Sequence, residues 1–166
     1  MLVESLPAGG TWTYPESPST ARPTLRGTDA SERLEAIRGQ DSVIIGGGGG
    51  DQLVGHVGRN SFKYEKPTDS LESDADRITN FNPKDDRIDV SRMLKKLNIT
   101  EVKLTEGPPQ QVGDMQLAYL RPQEIGVLTI KVTPEGENFA VHVDGVHLTE
   151  KISSYSINPN SPGSVL

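Results

Sequence analysis

Large apolar residues recur at a fixed short interval in the first half of the chain. Ile44, Leu53 and Phe62 stand nine residues apart, and the stretches between them are rich in glycine and polar residues. A fixed short period is typical of a solenoid, in which each repeat stacks on the next and a continuous core is buried between them. The pattern over residues 27–62 therefore predicts short strands joined by glycine turns.

The last third of the chain shows a different pattern. Residues 127–132 and 139–143 alternate between apolar and polar side chains, and the segment between them contains Pro, Gly and Asn. Alternation with a period of two predicts strands that bury one face. We therefore expect an antiparallel β-hairpin.

A short helix is expected between these two regions. Met93, Leu94 and Leu97 would lie on one face of it, Ser91 is able to cap its start, and Asn98 is able to end it. This spacing predicts a helix of about two turns.

The pattern divides the chain into three parts. Residues 1–25, rich in Pro, Gly and Ser, predict a flexible arm or linker. Residues 26–152 contain the repeats, the helix and the hairpin, and they predict one domain with one core. Residues 153–166 are rich in Ser, Asn and Pro and predict a partly disordered tail.

Composition narrows the classes of function. The 23 acidic residues outnumber the 17 basic ones, so the chain repels nucleic acid and attracts cations. There is no cysteine, which excludes disulfides and thiolate metal sites. No apolar stretch approaches the length of a transmembrane helix, and the start lacks the pattern of a cleavable signal peptide.

The five consecutive glycines belong to the most informative motif. Residues 46–54 match the nine-residue pattern G-G-x-G-x-D-x-U-x, in which U is a large apolar residue, and this is a calcium-binding β-helix repeat. Glycine allows backbone angles that direct several carbonyl oxygens toward one point, and calcium takes six to eight oxygen ligands. Asp51 adds negative charge to this ring. The predicted ligands of the turn are Gly46, Gly47, Gly48, Gly49 and Asp51.

Neighbouring turns must contribute too, because one turn supplies only about half of the oxygens that calcium needs. The sixth position of the repeat is Glu32 in an earlier turn, Asp41 in the next and Asn60 in the turn after the glycines. One extra residue, Ile45, shifts the frame. We expect about four turns, with Glu32, Asp41 and Asn60 as further metal ligands.

The stretch from residue 27 to residue 91 resembles the C-terminal region of RTX (repeats-in-toxin) exoproteins. In serralysin-type proteases, alginate epimerases and large secreted adhesins, the glycine turns lead through an acidic loop into a segment of the type D-x-I-x-D-F-x-x-x-x-D-x-I-D-L-S. Residues 76–91 match it, with Asn80 in place of an aspartate and Val90 in place of a leucine.

The resemblance implies a fold and further ligands. The expected fold is mainly β: a short right-handed parallel β-roll, then a short helix and a C-terminal antiparallel β-hairpin layer. In serralysin-like members, an aspartate seven residues before the matched segment and the segment's first aspartate bind calcium. The resemblance therefore implies that Asp69 and Asp76 bind calcium here.

The function that the resemblance implies is calcium-dependent folding and C-terminal capping of a bacterial protein exported by type I secretion. The expected partners are calcium ions and the type I secretion apparatus, the expected location is extracellular or on the cell surface, and residues 153–166 are the expected secretion-signal region. The parent protein would be an adhesin or an extracellular enzyme. No catalytic motif is present, so the domain itself is not expected to be an enzyme.

Three other functions remain open. The first is a calcium-dependent carbohydrate- or surface-binding module, the second is the tail of an enzyme with residual activity, and the third is a relic that binds no ion. A flexible hinge or a phosphate-binding loop at the glycines fits less well, because Asp51 and Leu53 keep the register of the repeat and no Lys-Ser/Thr pair follows.

Other polar residues are ambiguous in the sequence. Asp74, Asp85 and Asp86 fit a solvated acidic face as well as a metal site. His142, Asp144 and His147 have the residue types of a zinc site, but strand alternation places the first two on the exposed face of the hairpin.

Overall fold

The computed structural model describes residues 22–148 and the backbone of Ser153–Ser154. The predicted arm of residues 1–25 lies outside the described residues except for its last four, and the predicted tail of residues 153–166 lies outside them except for its first two. The elements, in chain order, are β1 (Thr24–Arg26), β2 (Arg33–Glu35), β3 (Ser42–Ile45), β4 (Gln52–Val54), β5 (Asn60–Lys63), a 3-10 turn (Pro67–Asp69), β6 (Asp76–Thr79), β7 (Arg87–Asp89), α1 (Ser91–Lys96), β8 (Lys103–Thr105), β9 (Asp114–Leu120), β10 (Ile125–Ile130), β11 (Phe139–Asp144) and β12 (Ser153–Ser154).

Successive strands of the first half alternate between two parallel sheets. Strands β1, β3, β5 and β7 lie side by side in one sheet, and β2, β4 and β6 lie in the other. The chain therefore winds as a coil in which each full turn contains two strands and two connections. This is the β-roll that the sequence predicted.

In each sheet, the large apolar residues of neighbouring strands lie in one column. Ile44 pairs with Phe62, and Leu53 pairs with Ile78 in the opposite sheet. These side chains are almost completely buried, as is Ile88 in the last layer. Strands β3 and β5 are equally long, and Ser42 pairs with Asn60, so the frame shift expected at Ile45 lies before β3 and leaves Asp41 one position out of register with Asn60.

The connections between strands form two edges of the roll. The first edge contains the turns of residues 27–32 and 46–51 and the longer loop of residues 64–75. The second edge contains residues 36–41, 55–60 and 80–86. Because connections alternate between edges, residues that are about nine positions apart in sequence lie on opposite edges.

Helix α1 begins differently from the prediction. Ser91 is its first helical residue and not its N-cap, and the cap position is Val90, whose side chain makes no capping hydrogen bond. Instead, Asp89 Oδ1 accepts hydrogen bonds from the N–H of Ser91 (3.0 Å) and from its hydroxyl (2.6 Å). The carboxylate two residues earlier therefore satisfies one free N–H at the start of the helix, that of Ser91 itself.

The end of α1 follows the prediction. Asn98 has a φ of 58°, a left-handed conformation that asparagine tolerates. Its N–H donates to Lys95 O (3.1 Å), and the N–H of Ile99 donates to Leu94 O (2.9 Å). These two bonds form a Schellman motif.

The predicted hairpin is confirmed and is part of a larger sheet. Strands β10 and β11 are antiparallel, and Leu128 pairs with Val141. Strand β11 also pairs in parallel with β6, so the hairpin extends the second sheet of the roll, and β9 and β8 continue it. Phe139 contacts Tyr64 edge-to-face, with ring centroids 5.1 Å apart, which joins the hairpin to the core of the roll.

Strand β12 completes the first sheet. Ser153 pairs in parallel with Ile88 of β7. The first two residues of the predicted tail thus add a strand to the last layer of the roll. Among the residues described, no helix has the length and apolar character needed to span a membrane.

Candidate metal centre

The glycine turn of residues 46–51 brings the backbone of the first edge into close contact with oxygen atoms. Gly47 and Gly49 have φ values of 87° and 82°, which favour glycine. A Cβ atom on Gly47 would overlap the carbonyl oxygen of Thr28 in the turn below. A Cβ atom on Gly46 would overlap Asp51 Oδ2 and would lie 3.3 Å from Asp76 Oδ2. Glycine is therefore required where oxygens of neighbouring layers converge.

Asp51 and Asp76 are the buried carboxylates of this edge. Asp51 Oδ1 accepts a hydrogen bond from the N–H of Glu32 (2.9 Å), and Asp76 Oδ1 accepts one from the N–H of Asp51 (2.8 Å). The Oδ2 atom of each residue is buried and has no partner in hydrogen-bond geometry among the described residues. The buried Tyr64 hydroxyl, which also lacks such a partner, lies close enough to Asp76 to lower the pKa of that carboxyl against the larger effect of burial. The two Oδ2 atoms both lie beside Gly46, so a cation there would contact both.

The electrostatics of the two carboxyl groups reflect this missing partner. Burial, together with the charges of Glu32, Asp69 and Asp74, raises the pKa of Asp51 to about 6. Burial, together with the charges of Asp51 and Asp69, raises the pKa of Asp76 to about 8. None of the ion pairs in the described part of the chain includes Asp51, Asp69 or Asp76. Burying both groups as ions is therefore unfavourable without added positive charge.

Asp69 lies on the same edge, at the end of the 3-10 turn. Its Oδ2 accepts hydrogen bonds from the N–H groups of Glu65 (3.0 Å) and Lys66 (3.2 Å), whereas its buried Oδ1 has no partner among the described residues. It lines a cavity of about 280 Å³ together with Gly27 and Gly47 of the two turns. Asp69 thus presents a third partly unsatisfied carboxylate to the glycine turns.

Glu32 occupies the sixth position of the first turn. Its carboxylate accepts hydrogen bonds from the N–H (2.7 Å) and the hydroxyl (2.9 Å) of Thr28, and it is half-buried. A Cβ atom on Gly27 would overlap both Glu32 Oε1 and the carbonyl oxygen of Gly46. Glu32 therefore lies at the border of the oxygen-lined region and is bonded to its own turn.

The remaining predicted ligands, Asp41 and Asn60, lie on the second edge. Asp41 is exposed, and its Oδ1 accepts a hydrogen bond from the N–H of Arg59 (2.9 Å). Asn60 is buried and contacts Asp86. The structure thus brings Glu32, the glycines, Asp51, Asp69 and Asp76 together on one edge and separates Asp41 and Asn60 from them. Calcium binding by each of these residues stays a prediction.

Asp86 is a buried carboxylate whose role the sequence left undecided. It is only 4% exposed, and its two oxygens accept hydrogen bonds from Asn60 and Asn82. Burial raises the pKa of Asp86, and these hydrogen bonds oppose that effect. The signal for its role is positional, because Asp86 follows Asp76 by ten residues and occupies the equivalent position on the opposite edge.

No group of three or more His, Cys, Asp or Glu side chains within the described ranges converges to hold a metal ion. A cation on the first edge would therefore use backbone carbonyl oxygens in addition to carboxylates. That mixed set of hard oxygens suits calcium, which accepts carbonyl and carboxylate ligands in flexible geometry. It does not suit zinc, which favours histidine and thiolate ligands.

Comparison with known proteins adds the family. Residues 40–152 match the family described as Peptidase M10 serralysin C terminal, over more than half of the chain. The chain belongs to this family. The resemblance to RTX C-terminal regions that the sequence suggested is thereby confirmed.

Solved structures share the fold of this serralysin C-terminal domain. The AlgE6R2 subunit of mannuronan C5-epimerase from Azotobacter vinelandii is 22% identical, with a TM-score of 0.58, and the alignment covers 82% of this chain and 95% of that chain. The AlgE6R3 subunit is 22% identical, with a TM-score of 0.51, and the alignment covers 87% and 84%. No curated protein matches the chain in sequence.

The zinc alternative gains no support in this serralysin C-terminal domain. Asp144 accepts a hydrogen bond from Arg77 Nε (2.7 Å), and His147 stacks on the ring of Tyr119, with centroids 3.6 Å apart. His142 and Asp144 are both half-buried. The three side chains have other neighbours and form no metal-binding group within the described ranges.

Proposed function

We propose that the chain is the calcium-dependent folding, secretion and capping domain at the C-terminus of a bacterial type I-secreted RTX exoprotein, either an adhesin or an extracellular enzyme. The observation that carries the proposal is the pair of buried carboxylates, Asp51 and Asp76, whose Oδ2 atoms lack a partner beside the same glycine. A bound calcium ion supplies the positive charge and oxygen coordination that this pair lacks. Asp51, Asp76, Asp69 and the carbonyls of residues 46–49 would hold it.

The proposal couples folding to the ion. In a calcium-poor compartment, the buried carboxylates repel one another and the roll is weakened, which favours the extended chain that export requires. Outside the cell, calcium binds the folded form and stabilises it by mass action, by about 4 kcal/mol at a concentration a thousandfold above Kd. The family supports this direction, because it is the C-terminal family of secreted serralysins.

The capping part of the proposal rests on the last layer of the roll. An uncovered end of a β-roll exposes unpaired strand edges. Here β12 pairs with β7 in one sheet, and β11 pairs with β6 in the other. These two strands cover the last layer, and the packing of Phe139 on Tyr64 fixes the hairpin against it.

The test of calcium-dependent folding compares thermal unfolding in chelator and in millimolar calcium. We expect calcium to raise the Tm of the wild-type chain, and Asp51→Ala to remove most of that rise. Glu101→Ala is the control, because it removes an exposed carboxylate that lies outside both edges. An equal Tm in chelator and in calcium for the wild-type chain would overturn the proposal.

The secretion part needs a separate test. The chain would be fused to a reporter that lacks an export signal and expressed with a type I secretion apparatus. We expect the reporter in the medium, and we expect deletion of residues 153–166 to retain it in the cell. Export that is unaffected by the deletion would place the signal elsewhere.

A second candidate function is carbohydrate binding, favoured by an open groove of about 720 Å³ beside the hairpin. Arg77, Asp144 and His147 are among its polar lining residues. Such groups suit a polyhydroxylated ligand, and the fold is shared with subunits of an enzyme named for mannuronan. Calcium-dependent retention on immobilised mannuronan that Arg77→Ala weakens would support it, whereas no retention would argue against it.

A further inference from the structure

Asn60 and Asp51 occupy equivalent positions on the two edges. The residue after Asp51, Gln52, pairs with Arg77, the residue after Asp76. In the other sheet, Ser61 follows Asn60 and pairs with Arg87, which follows Asp86. The pair of Asn60 and Asp86 on the second edge therefore corresponds to the pair of Asp51 and Asp76 on the first.

The backbone around the two pairs is also equivalent. Gly55 stands nine residues after Gly46, and a Cβ atom on Gly55 would lie 3.3 Å from Asp86 Oδ2, just as one on Gly46 would lie 3.3 Å from Asp76 Oδ2. It would also lie 2.8 Å from the carbonyl oxygen of Asn80. The second edge thus repeats the close approach of oxygens that marks the first.

The side chain that lies among these oxygens differs between the two edges: it is an amide at Asn60 and a carboxylate at Asp51. Asn60 Nδ2 lies 2.8 Å from His56 O, 3.5 Å from Gly58 O and 3.2 Å from Asp86 Oδ1. All three neighbours are acceptors, so only the NH2 group of the amide can face them. Asn60 Oδ1 has no donor among the described residues, and the stabilising contacts of the side chain are therefore those of its NH2 group.

Both oxygens of Asp86 accept hydrogen bonds, one from the side-chain amide of Asn60 and from backbone, the other from backbone alone. Its Oδ1 accepts hydrogen bonds from the N–H (2.9 Å) and Nδ2 of Asn60, and its Oδ2 accepts one from the N–H of Asn82 (2.9 Å). Asp76, its counterpart, keeps one buried oxygen without a partner. The N–H of Asn60 corresponds to the N–H of Asp51, which bonds Asp76 in the same way. The two additional donors on the second edge are Asn60 Nδ2 and the N–H of Asn82.

We propose that the side-chain amide of Asn60 replaces a calcium ion on the second edge, so that this edge closes without metal while the first edge requires it. The proposal rests on the proposed calcium binding by the first edge. It replaces the expectation that Asn60 is a metal ligand. The side chains at positions 51 and 60, a carboxylate and an amide, then set the different calcium dependence of the two pairs.

Two variants of Asn60 test the proposal in thermal unfolding and in calcium stoichiometry measured by equilibrium dialysis. Asn60→Asp would place a second carboxylate beside Asp86. We expect it to lower the Tm in chelator, to bind one more calcium ion per chain than wild type, and to recover its Tm in calcium. Gln40→Glu is the control, because it adds the same charge at an exposed position of the same edge.

Asn60→Ala keeps the test decisive if Asn60→Asp fails to fold. Removing the amide should lower the Tm by the same amount in chelator and in calcium and leave the stoichiometry unchanged. A loss of Tm confined to calcium, with one ion fewer bound, would show that Asn60 ligates calcium and would overturn the proposal. So would an Asn60→Asp variant as stable in chelator as wild type, or one that folds but gains no ion. Asp51→Ala tests calcium binding by the first edge separately, so that failure of the proposed function can be distinguished from failure of the proposal about Asn60.

Discussion

On the first edge of the roll, Asp51 and Asp76 each leave one buried oxygen without a donor, whereas on the second edge both oxygens of Asp86 accept hydrogen bonds from the chain itself. The two pairs have equivalent positions in the register. Two groups differ: the side chain is a carboxylate at position 51 and an amide at position 60, and the N–H of Asn82 bonds Asp86 Oδ2, whereas Asp76 Oδ2 has no such donor.

This contrast shows how a repeat can keep its shape while changing what stabilises it. A buried carboxylate that lacks a partner weakens the fold until an ion binds, whereas one held by N–H donors is stable in any calcium concentration. The first edge is therefore suited to respond to the environment. The second edge is suited to hold the layers in register.

The largest expected effect comes from removing the acceptor of the second edge. Asp86→Ala removes the acceptor of the buried N–H of Asn60 and of the part-buried N–H of Asn82, and it removes one of the three acceptors of Asn60 Nδ2. At about 1 to 3 kcal/mol for each of the two backbone groups, we expect a loss of about 2 to 5 kcal/mol in the free energy of unfolding. The loss should be similar in chelator and in calcium, as measured by urea unfolding. A loss seen only in calcium would mean that Asp86 acts through an ion.

The next largest effect on stability is expected from Asp51→Asn, which places an amide on the first edge at the position equivalent to Asn60. Asp51→Asn removes a buried negative charge and supplies an NH2 group that can donate to Asp76 and to the carbonyls of the glycine turn. We expect the Tm in chelator to rise by about 3 to 6 °C, which corresponds to ~1 to 2 kcal/mol for a domain of this size. The rise in Tm on adding calcium should be mostly lost. A lower Tm in chelator than wild type would contradict the equivalence of the two edges.

The sequence predicted the roll better than it predicted this contrast. The apolar period of Ile44, Leu53 and Phe62 and the nonapeptide at residues 46–54 describe strands and turns that are local in sequence, and the structure contains them. The hairpin was predicted because β10 and β11 alternate regularly. Strands β8 and β9 were not, because much of their surface is half-buried or exposed and the apolar pattern is correspondingly weak.

The role of individual polar residues depended on long-range register. Asn60 reads in the sequence as a weakened calcium ligand, since it replaces the aspartate of the repeat. Its partner Asp86 is 26 residues away and reads as one of several acids in a solvated stretch. Only the pairing of β5 with β7 brings the two together, and no local pattern encodes that pairing.

A smaller effect, spread over several pH units, is expected from protonation of the first edge. Asp51 and Asp76 have folded-state pKa values of about 6 and about 8, against an ordinary value of 3.8. The calcium-free folded state therefore binds more protons than the unfolded state between about pH 4 and pH 8, so its stability falls as pH rises through that range. We expect the Tm in chelator to decrease from pH 5 to pH 8.5.

Asp51→Asn provides the control for this pH dependence, because it removes one of the two titrating groups. Its Tm in chelator should fall less steeply between pH 5 and pH 8.5 than that of wild type. In saturating calcium the ion favours the ionised carboxylates, so the decrease toward high pH should disappear. A Tm in chelator that rises with pH would contradict the raised pKa values.

The smallest effect is expected at Glu32, which borders the first edge and is bonded to its own turn. Glu32→Gln keeps an oxygen to accept the N–H of Thr28 and removes only a half-buried charge. Half-buried charges near the surface contribute about 0.5 kcal/mol, so we expect calcium affinity to fall about twofold to threefold and the Tm in chelator to change by about 1 °C or less. Calorimetric titration with calcium would measure the affinity. A loss as large as that of Asp51→Ala would instead mean that the carboxylate of Glu32 leaves Thr28 and binds the ion directly, which would extend the calcium-dependent region of the first edge to the first turn of the roll.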